Sequence, residues 1–368
     1  MLGIFSWNIG ENAGEKIPRY IREIKTKCKL PDLLVFGFQE VSQDLTPIMQ
    51  KELPEYEIIN GITACTQLTK YQIVTFVMQK NTMTSSYTNT IVKRECLSSE
   101  GEENMIMPGT KGYTINVIKG PQNFIFVNAH FPLKNTDILQ DFYTLISFAI
   151  DKLKLPNYLV FVFGDINSRC FDYQKEVKTC ANDADQNLDY CQAKKQLEKL
   201  PFKQTHNFAS LSTPQDSVPL ITQLITTLTT QDYINKNKNN NKNVMFNGYT
   251  EPEIRFLPTY KRDVKTGEFY LVKPAGKMLG IQLSQNEEKD GRLPGYADRI
   301  FYRNNKNIKC LNYGSFGVTG NDHLPIGGIF TITTTGGRLR KKSRARSKSR
   351  KAQKKSRSKS RTKKITLK

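Results

Sequence analysis

The sequence predicts an α/β fold in which two packed β-sheets carry helices on their outer faces. Strand-like apolar runs alternate with helical stretches, but several neighbouring strands have no helix between them. A single doubly wound parallel sheet needs a crossover helix between its strands, so two sheets packed face to face agree better with this order. At 368 residues the chain can hold one large domain or two ordinary ones.

The first predicted unit is a strand, a helix and a second strand. Residues 2–9 are an apolar run typical of a buried strand, and residues 15–28 place isoleucines at three- and four-residue spacings on one helix face. Residues 32–38 form a second buried strand, which ends just before Gln39 and Glu40.

Strands and one further helix follow. Residues 71–78, 113–118 and 123–127 are rich in β-branched and aromatic residues, which favours strands. Residues 137–153 have the apolar period of a helix. The later strands are predicted at residues 158–163, 299–302 and 326–332.

Two segments have compositions that cannot bury a core. Residues 235–243 contain only Asn and Lys and are predicted to be a solvated loop. Residues 338–368 hold 17 of the 55 Lys and Arg residues and no acid, which leaves 38 basic residues against 34 acids elsewhere. We therefore predict a near-neutral catalytic domain at residues 1–335 and a disordered Lys/Arg/Ser-rich tail at residues 336–368.

The cysteine content and the lack of long apolar runs indicate the compartment. Seven cysteines without a C-x-x-C pair argue for reduced thiols in a cytosolic or nuclear setting. The apolar run at residues 1–5 is too short for a signal peptide, and no stretch approaches the ~20 apolar residues that span a bilayer. We expect a soluble, cytoplasmic monomer, with a membrane surface or the nucleus as alternative locations.

Polar side chains are predicted at the ends of separate buried strands. Acids, amides and imidazoles gathered at strand ends usually build a divalent-metal site for phosphoryl transfer. Each residue also has a structural alternative: Asp165 with Asn167 can form an ordinary Asx turn, and Glu40 can cap a helix. The residues in question are Asn8, Glu40, His130, Asp165, Asn167, Asp298, Asp322 and His323.

Eight motifs together make the chain resemble the inositol polyphosphate 5-phosphatases of the endonuclease/exonuclease/phosphatase fold. They occur in the family's order, and the PTYK string and the P-x-x-x-D-R string are more specific to this family than the others, several of which nucleases of the fold share. The motifs are residues 6–10 (SWNIG), 37–41 (GFQEV), 109–112 (GTKG), 127–130 (VNAH), 163–169 (FGDINSR), 256–261 (FLPTYK), 292–299 (RLPGYADR) and 321–325 (NDHLP).

The resemblance implies a fold and leaves three departures from the family pattern. The family's fold is a four-layer α/β sandwich of two packed mixed β-sheets flanked by helices. The family usually has Trp-Cys in place of Tyr296 and Ala297, Tyr in place of Ser168, and Ser in place of Asn321. None of these changes removes a catalytic functional group, so they bear on substrate preference more than on chemistry.

The resemblance also implies catalytic roles. Mg²⁺ would be bound by Glu40, with Asn8 orienting the ligand or phosphate, because Mg²⁺ takes one or two protein carboxylates and keeps several waters. The residue types alone would allow Asp165 and Asp322 to exchange roles. In the family-based assignment, Asp165 orients or deprotonates the attacking water, and Asn167 holds that water and a phosphoryl oxygen. His323 contacts a phosphoryl oxygen as imidazolium, and Asp298 fixes its orientation and raises its pKa. His130 does similar work from the other side, and Asp322 supports the metal or its waters.

The expected substrate is a polyanion, so the binding site needs cationic side chains that face it. By the same resemblance, Tyr260 and Lys261 grip the phosphate next to the one removed, and Arg292 makes a second contact there. The family has a Lys two residues before that Arg, whereas here Lys289 lies three before it. Lys111 is also expected to face the site.

Three functions remain open at this point. The first is Mg²⁺-dependent removal of the 5-phosphate from inositol polyphosphates or phosphoinositides. The second is a Mg²⁺-dependent nuclease of the same fold, and the third is a non-catalytic protein that binds anionic surfaces. The basic tail is consistent with anionic membranes, nucleic acid, nuclear targeting, or a merely solubilising role.

Overall fold

A computed structural model describes most of the chain at the level of side chains. The structure divides between Thr331 and Ile332, and all elements considered below belong to the first unit apart from the last residue of the final strand. The described residues are 1–10, 13–65, 71–100, 106–132, 136–168, 196, 208–210, 219–232, 234, 246–268 and 295–333.

The first sheet has seven strands in the order β3-β4-β2-β1-β13-β12-β9. Strand β1 pairs in parallel with β2 and antiparallel with β13, so the first and last strands of the described fold are neighbours. The strands are β1 (Leu2–Asn8), β2 (Leu33–Val41), β3 (Tyr56–Ala64), β4 (Gln72–Lys80), β9 (Phe208–Ser210), β12 (Ile308–Ser315) and β13 (Ile326–Ile332).

The second sheet has six strands in the order β10-β11-β8-β7-β6-β5. Its central pair, β7 and β8, is parallel, and β11 runs antiparallel to β8. Both sheets are therefore mixed. The strands are β5 (Thr88–Glu100), β6 (Ile106–Lys119), β7 (Phe124–His130), β8 (Leu159–Asp165), β10 (Tyr249–Thr250) and β11 (Asp298–Arg303).

Helices cover the outer faces of both sheets, as an amphipathic helix requires. Isoleucines and Tyr20 of the first helix pack on the aromatic outer face of the first sheet, and Phe142 and Ile146 of the third pack on the second sheet. The described helices are α1 (Ala13–Lys27), α2 (Thr46–Glu52), α3 (Thr136–Asp151) and α4 (Pro219–Gln231). None of them is long and apolar enough to cross a bilayer.

The two sheets meet through an interface that contains hydrogen-bonded polar groups. Gln39 Nε2 donates to Asn128 Oδ1 at 2.6 Å, and Asn128 Nδ2 donates to the Val74 carbonyl at 3.0 Å. The Thr75 and Thr114 hydroxyls lie 2.7 Å apart across the same interface. A buried polar group without a hydrogen-bond partner destabilises the fold, so these bonds favour a single alignment of the two sheets against each other.

One parallel strand–helix–strand unit lies in each sheet: β1-α1-β2 in the first and β7-α3-β8 in the second. Parallel strands end at the same edge, so each unit presents two carboxyl ends together. At the end of β8, Gly164 has a φ of 132°, and a Cβ there would lie 2.0 Å from the Ala129 carbonyl oxygen. Only glycine can hold β8 this close to β7.

The predicted fold class is confirmed, with shifted boundaries and several unpredicted elements. Every strand and helix predicted within the described residues is present. Among the elements that the sequence did not predict, β3 and β12 are partly exposed and β9 and β10 are very short. The predicted loop at residues 235–243 and the tail at residues 336–368 lie outside the described residues.

The expectation of reduced thiols is wrong at Cys65. Cys65 is disulfide-bonded, whereas Cys28 and Cys310 are free and partly buried. Sequence spacing reports only local pairs such as C-x-x-C, and a disulfide joins residues that the fold brings together through space. Burial raises the pKa of the Cys28 thiol to about 11, so this sulfur is protonated at neutral pH.

Candidate active site

Polar side chains from both sheets meet where the two parallel strand pairs end. Asn8 ends β1, and Glu40 is the penultimate residue of β2. His130 ends β7 and Asp165 ends β8. Asp298 begins β11, whose antiparallel register places it opposite Asp165. The prediction that these five residues lie at strand ends is confirmed.

Asp165 is the buried centre of this cluster. Its Oδ2 accepts from Asn8 Nδ2 at 3.1 Å and lies 3.2 Å from His130 Nε2 and 3.9 Å from His323 Nε2. Its Oδ1 accepts from the Asn167 amide at 3.0 Å, so the Asx turn considered as an alternative is present and orients the carboxylate. Burial would raise the pKa of Asp165, but His323 and His130 outweigh it and hold this pKa well below its usual range.

His323 is fixed between carboxylates. Its Nδ1 lies 2.9 Å from Asp298 Oδ2, which also accepts from the Thr259 hydroxyl at 2.9 Å. Its backbone carbonyl accepts from Trp7 Nε1 at 2.9 Å. Burial works against the charged imidazole, but Asp298 and Asp165 prevail and raise the pKa of His323 to about 9. His323 is therefore an imidazolium at neutral pH.

His130 differs from His323 in its charge state. It is fully buried, it forms a hydrogen bond with Lys111 Nζ, and its Nε2 lies 3.6 Å from Glu40 Oε1. Burial and then the Lys111 ammonium lower the pKa of His130, despite the nearby carboxylates. The family resemblance implied similar catalytic roles for His130 and His323. Their imidazoles nevertheless differ in charge at neutral pH: His323 is protonated and His130 is neutral.

Two residues of the cluster have backbone conformations that side chains rarely adopt. Glu40 has a φ of 58° and Asn167 a φ of 55°. Each costs about 1–3 kcal/mol, and such residues concentrate at functional sites. The β2–β4 pairing is irregular between Phe38 and Val41, which aims Glu40 out of the ladder. The Asn167 side chain donates to the Phe131 carbonyl at 2.6 Å, which holds its turn in place.

Two oxygen donors at this edge suit a hard cation. The Glu40 side chain is 33% exposed, and the Asn8 Oδ1 is buried without a hydrogen-bond partner. No group of three His, Cys, Asp or Glu arranged to hold a metal occurs within the described ranges. A site for Mg²⁺ does not need one, because this ion takes one or two carboxylates and keeps several waters. The donor set therefore fits the expected ion.

The segment with Tyr260 and Lys261 lies against the loop that carries Asp322 and His323, called the histidine loop below. Tyr260 forms isolated bridges with Gly295 and His323, and its ring centre is 4.5 Å from that of His323. Lys261 Nζ lies 3.9 Å from Asp322 Oδ2 at the partly exposed rim. The predicted binding pair is therefore brought next to the predicted catalytic residues.

The strand-end prediction is wrong for Asp322 and His323. Both lie in the loop between β12 and β13, three to four residues before β13 begins. This loop is held by pairing with a distant segment: the Arg262 amide donates to the Asp322 carbonyl at 2.9 Å, and the Leu324 amide to the Thr259 carbonyl at 3.0 Å. Sequence periodicity does not report such pairing. Arg292 and Lys289, also predicted at the site, lie outside the described residues.

Three supporting residues were not among the predicted site residues, although Asn321 was noted as a departure from the family pattern. Trp7 and Thr259 orient the histidine loop and Asp298 as described, and Asn321 Nδ2 donates to the Asn8 carbonyl. All three lie inside motifs that were recognised. Their position next to a catalytic candidate was the available signal, because such hydrogen bonds orient the groups that react.

Comparison with known proteins gives a family match over nearly the whole described fold. The family model described as Endonuclease/Exonuclease/phosphatase family 2 matches residues 5–215 and 210–329. The inositol polyphosphate 5-phosphatase domain of SPsynaptojanin, solved with inositol (1,4)-bisphosphate and calcium ion, is similar in fold. It has a TM-score of 0.53 at 19% identity over 98% of this chain and 92% of that one.

Curated relatives match over shorter segments. The phosphatidylinositol polyphosphate 5-phosphatase type IV of Homo sapiens is 34% identical over 100 residues, which is 26% of this chain and 13% of that protein. A probable inositol polyphosphate 5-phosphatase of Schizosaccharomyces pombe is 31% identical over 103 residues, 28% of this chain and 7% of that protein. The matched segments thus cover a small part of each relative.

Proposed function

The chain belongs to the endonuclease/exonuclease/phosphatase family 2, and from that premise we propose that it is a Mg²⁺-dependent phosphoric monoester hydrolase. Its substrates are inositol polyphosphates, phosphoinositides or both, and the 5-phosphate is the group removed. The observation that carries this proposal is the contact of one buried carboxylate, Asp165, with Asn8, His130 and His323 at the meeting point of both sheets.

The metal site consists of Glu40 and Asn8. When bound, Mg²⁺ supplies positive charge to the phosphoryl oxygens, on which negative charge is spread in the loose transition state. Glu40 faces Lys111 Nζ at 4.0 Å and His130 Nε2 at 3.6 Å. The Lys111 ammonium and the neutral His130 imidazole hold the carboxylate at the edge of the cluster.

Asp165 orients the attacking water rather than acting as a strong base. Its lowered pKa keeps it ionised at neutral pH and makes it a weak proton acceptor. The Asx turn, in which the Asn167 backbone N–H donates to Asp165 Oδ1, fixes the carboxylate that holds the water and keeps Asn167 next to it. Asp322 is paired with Lys261 at the rim instead, which argues against an exchange of roles between the two aspartates.

His323 contributes a fixed positive charge. As an imidazolium held by Asp298, it can donate through Nε2 to a phosphoryl oxygen while its Nδ1 remains bound. A preorganised donor of this kind is worth about 2.7–4 kcal/mol of transition-state stabilisation. His130 has a lowered pKa and serves as a neutral hydrogen-bonding partner, with Lys111 supplying the charge on that side.

Substrate selection is assigned to the rim. Lys261 and Tyr260 grip the phosphate next to the one removed, and Arg292 and Lys289 remain expected contacts. The names of the relatives support the substrate class: one is a phosphatidylinositol polyphosphate 5-phosphatase and another a probable inositol polyphosphate 5-phosphatase. We place the protein in the cytoplasm as a monomer, with membrane surface or nucleus as alternatives.

A nuclease of the same fold is the second candidate, because residues 338–368 carry 17 basic residues and no acid. Phosphate release by the full chain distinguishes the two. We expect Mg²⁺-dependent release from inositol 1,4,5-trisphosphate or from vesicles with phosphatidylinositol 4,5-bisphosphate, and none after chelation. Asp165→Asn is the matched inactive control. Nicking of plain or abasic DNA without release from either inositol substrate would overturn the proposal, and binding without any turnover would favour a non-catalytic protein.

A further inference from the structure

A buried ionic network lies next to the proposed catalytic residues. The Arg299 guanidinium is fully buried between two carboxylates: Nη1 lies 2.6 Å from Asp232 Oδ1, and Nε lies 2.7 Å from Glu251 Oε1. A second contact joins Arg299 Nη2 to Glu251 Oε2. The Tyr313 hydroxyl donates to Glu251 Oε1 at 3.2 Å. A buried pair with this many bonds has one defined geometry, since a lost partner would leave a charge uncompensated.

The second oxygen of Asp232 reaches the turn that follows β8. The Ser168 hydroxyl donates to Asp232 Oδ2 at 2.6 Å, and both side chains are fully buried. Ser168 directly follows Asn167, whose φ of 55° requires support from outside the turn.

The other end of the network reaches β11. Arg299 directly follows Asp298, the carboxylate that holds His323. Asp232 lies just after α4, and its Oδ1 also accepts from the Ile234 amide at 3.2 Å. One side chain thus connects the turn that carries Asn167 with the strand that carries Asp298.

We propose that Asp232 is a positioning residue for the reaction. Through Ser168 it fixes Asn167, and through Arg299 it fixes Asp298, so it sets the distance between the groups that hold the water and the group that orients His323. The inference rests on the proposed function. Asp232 touches no reacting atom, and Lys261 lies on a different segment. Loss of the Asp232 carboxylate should therefore lower kcat and leave substrate binding intact.

Two variants test this through a separation of kcat from KM, with the full chain and soluble inositol 1,4,5-trisphosphate. Ser168→Ala and Asp232→Asn should each lower kcat by about 10- to 100-fold, because a misplacement of about 1 Å can cost 10²-fold. KM should stay within about threefold. Tyr313→Phe is the matched control: it removes a buried hydroxyl that contacts Glu251 and the Ile300 amide, and no contact of this hydroxyl with Asp232 or Ser168 is seen in the described structure. It should lower Tm comparably while kcat stays within about twofold.

The double variant decides whether Ser168 and Asp232 act through each other. Ser168→Ala with Asp232→Asn should lose no more activity than the worse single variant, whereas independent residues would multiply their losses. Multiplied losses, or a Ser168→Ala variant no slower than Tyr313→Phe, would overturn the proposal. If Asp232→Asn does not fold, the comparison of Ser168→Ala with Tyr313→Phe remains.

A readout without turnover separates this inference from the proposed function. The amide NMR signals of Asn167 and Asp298 should move in Ser168→Ala and stay in place in Tyr313→Phe. An inactive wild type would refute the proposed function only. Unmoved signals at both residues in Ser168→Ala would refute the positioning role whatever the activity.

Discussion

Asp165 and Asp298 lie opposite each other across the antiparallel pair β8–β11, and the His323 imidazole contacts both carboxylates. The two strands enter from opposite directions, one ending and one beginning at the site. An imidazole held by two buried carboxylates keeps its proton to high pH, which is the origin of its pKa of about 9. The positive charge proposed to meet the phosphoryl group is thus a consequence of strand register.

The protonation of His323 predicts an alkaline limit to activity. Its folded-state pKa of about 9 exceeds the ordinary value near 6.5, so the imidazolium is present at neutral pH and is lost as pH rises through about 9. We expect kcat to fall above that pH. The stability that this group contributes is complete below pH 6.5 and disappears over the same rise. The pH profile of kcat, with Tm in parallel, measures both.

Asp298→Asn provides the control for this assignment. The variant keeps the shape and removes the charge that raises the pKa of His323, so the alkaline limb should move to lower pH. A limb that stays in place would assign it to another group.

Removal of charge from either side of the phosphoryl group should abolish most of the activity. Glu40→Gln and His323→Ala should each lower kcat by at least ~10²-fold, since one charge-stabilising group is worth ~2.7–4 kcal/mol. Glu40→Gln should also raise the Mg²⁺ concentration needed for half-maximal rate, whereas His323→Ala should not. Wild-type activity in either variant would show that the residue is misassigned.

Lys261 should matter only for substrates that carry the neighbouring phosphate. Lys261→Ala removes a point charge from the rim, so it should impair inositol 1,4,5-trisphosphate far more than a substrate without a 4-phosphate. Lys265→Ala, an exposed lysine four residues further on, is the matched control and should affect neither. Equal losses on both substrates would make Lys261 a structural residue, paired with Asp322.

Deletion of residues 338–368 should separate membrane activity from catalysis. It removes 17 positive charges and no motif residue, so activity on a soluble inositol phosphate should change little. Activity on anionic vesicles should fall, and the advantage of the full chain should shrink with salt, because exposed charges are screened within ~10 Å at 0.1 M. If the truncated chain is as active as the full chain on vesicles at low salt but binds nucleic acid less well, the tail is a nucleic-acid-binding element.

Two glycines with positive φ should respond differently to alanine. Gly248→Ala should cost about 1–2 kcal/mol, because its φ of 77° is unfavourable but nothing lies within 4 Å of the new Cβ. Gly164→Ala should cost more, since the Cβ would lie 2.0 Å from the Ala129 carbonyl oxygen. Urea unfolding of both variants gives the comparison. Equal losses would mean that β7 and β8 can separate without penalty.

The sequence predicted the central strands well because they are continuous apolar runs buried on both faces. It located Asn8, His130 and Asp165 at their carboxyl ends for the same reason. It did not predict β3, whose exposed and half-buried positions do not alternate clearly, or β12, where polar residues interrupt the run. Short strands such as β10 exist only through pairing with a neighbour, which no local pattern records.

Long-range contacts account for the remaining differences. The position of His323 depends on Tyr260 and Trp7, which are distant in sequence, so a strand-end rule could not place it. Asp232 lies in none of the recognised motifs, and its proposed role rests only on its contacts with Ser168 and Arg299. The left-handed backbone of Glu40 likewise arises from an irregularity in strand pairing.

The pairing of β1 with β13 makes the first sheet depend on both ends of the fold. During synthesis β1 precedes its partner β13 by more than 300 residues. Until β13 emerges, the backbone of residues 2–6 is an open apolar edge, the kind that pairs with other chains and aggregates. Closure over such a sequence separation is slow. A chain cut before β13 therefore exposes an unpaired edge of β1, and we expect it to aggregate more readily than a chain that contains β13.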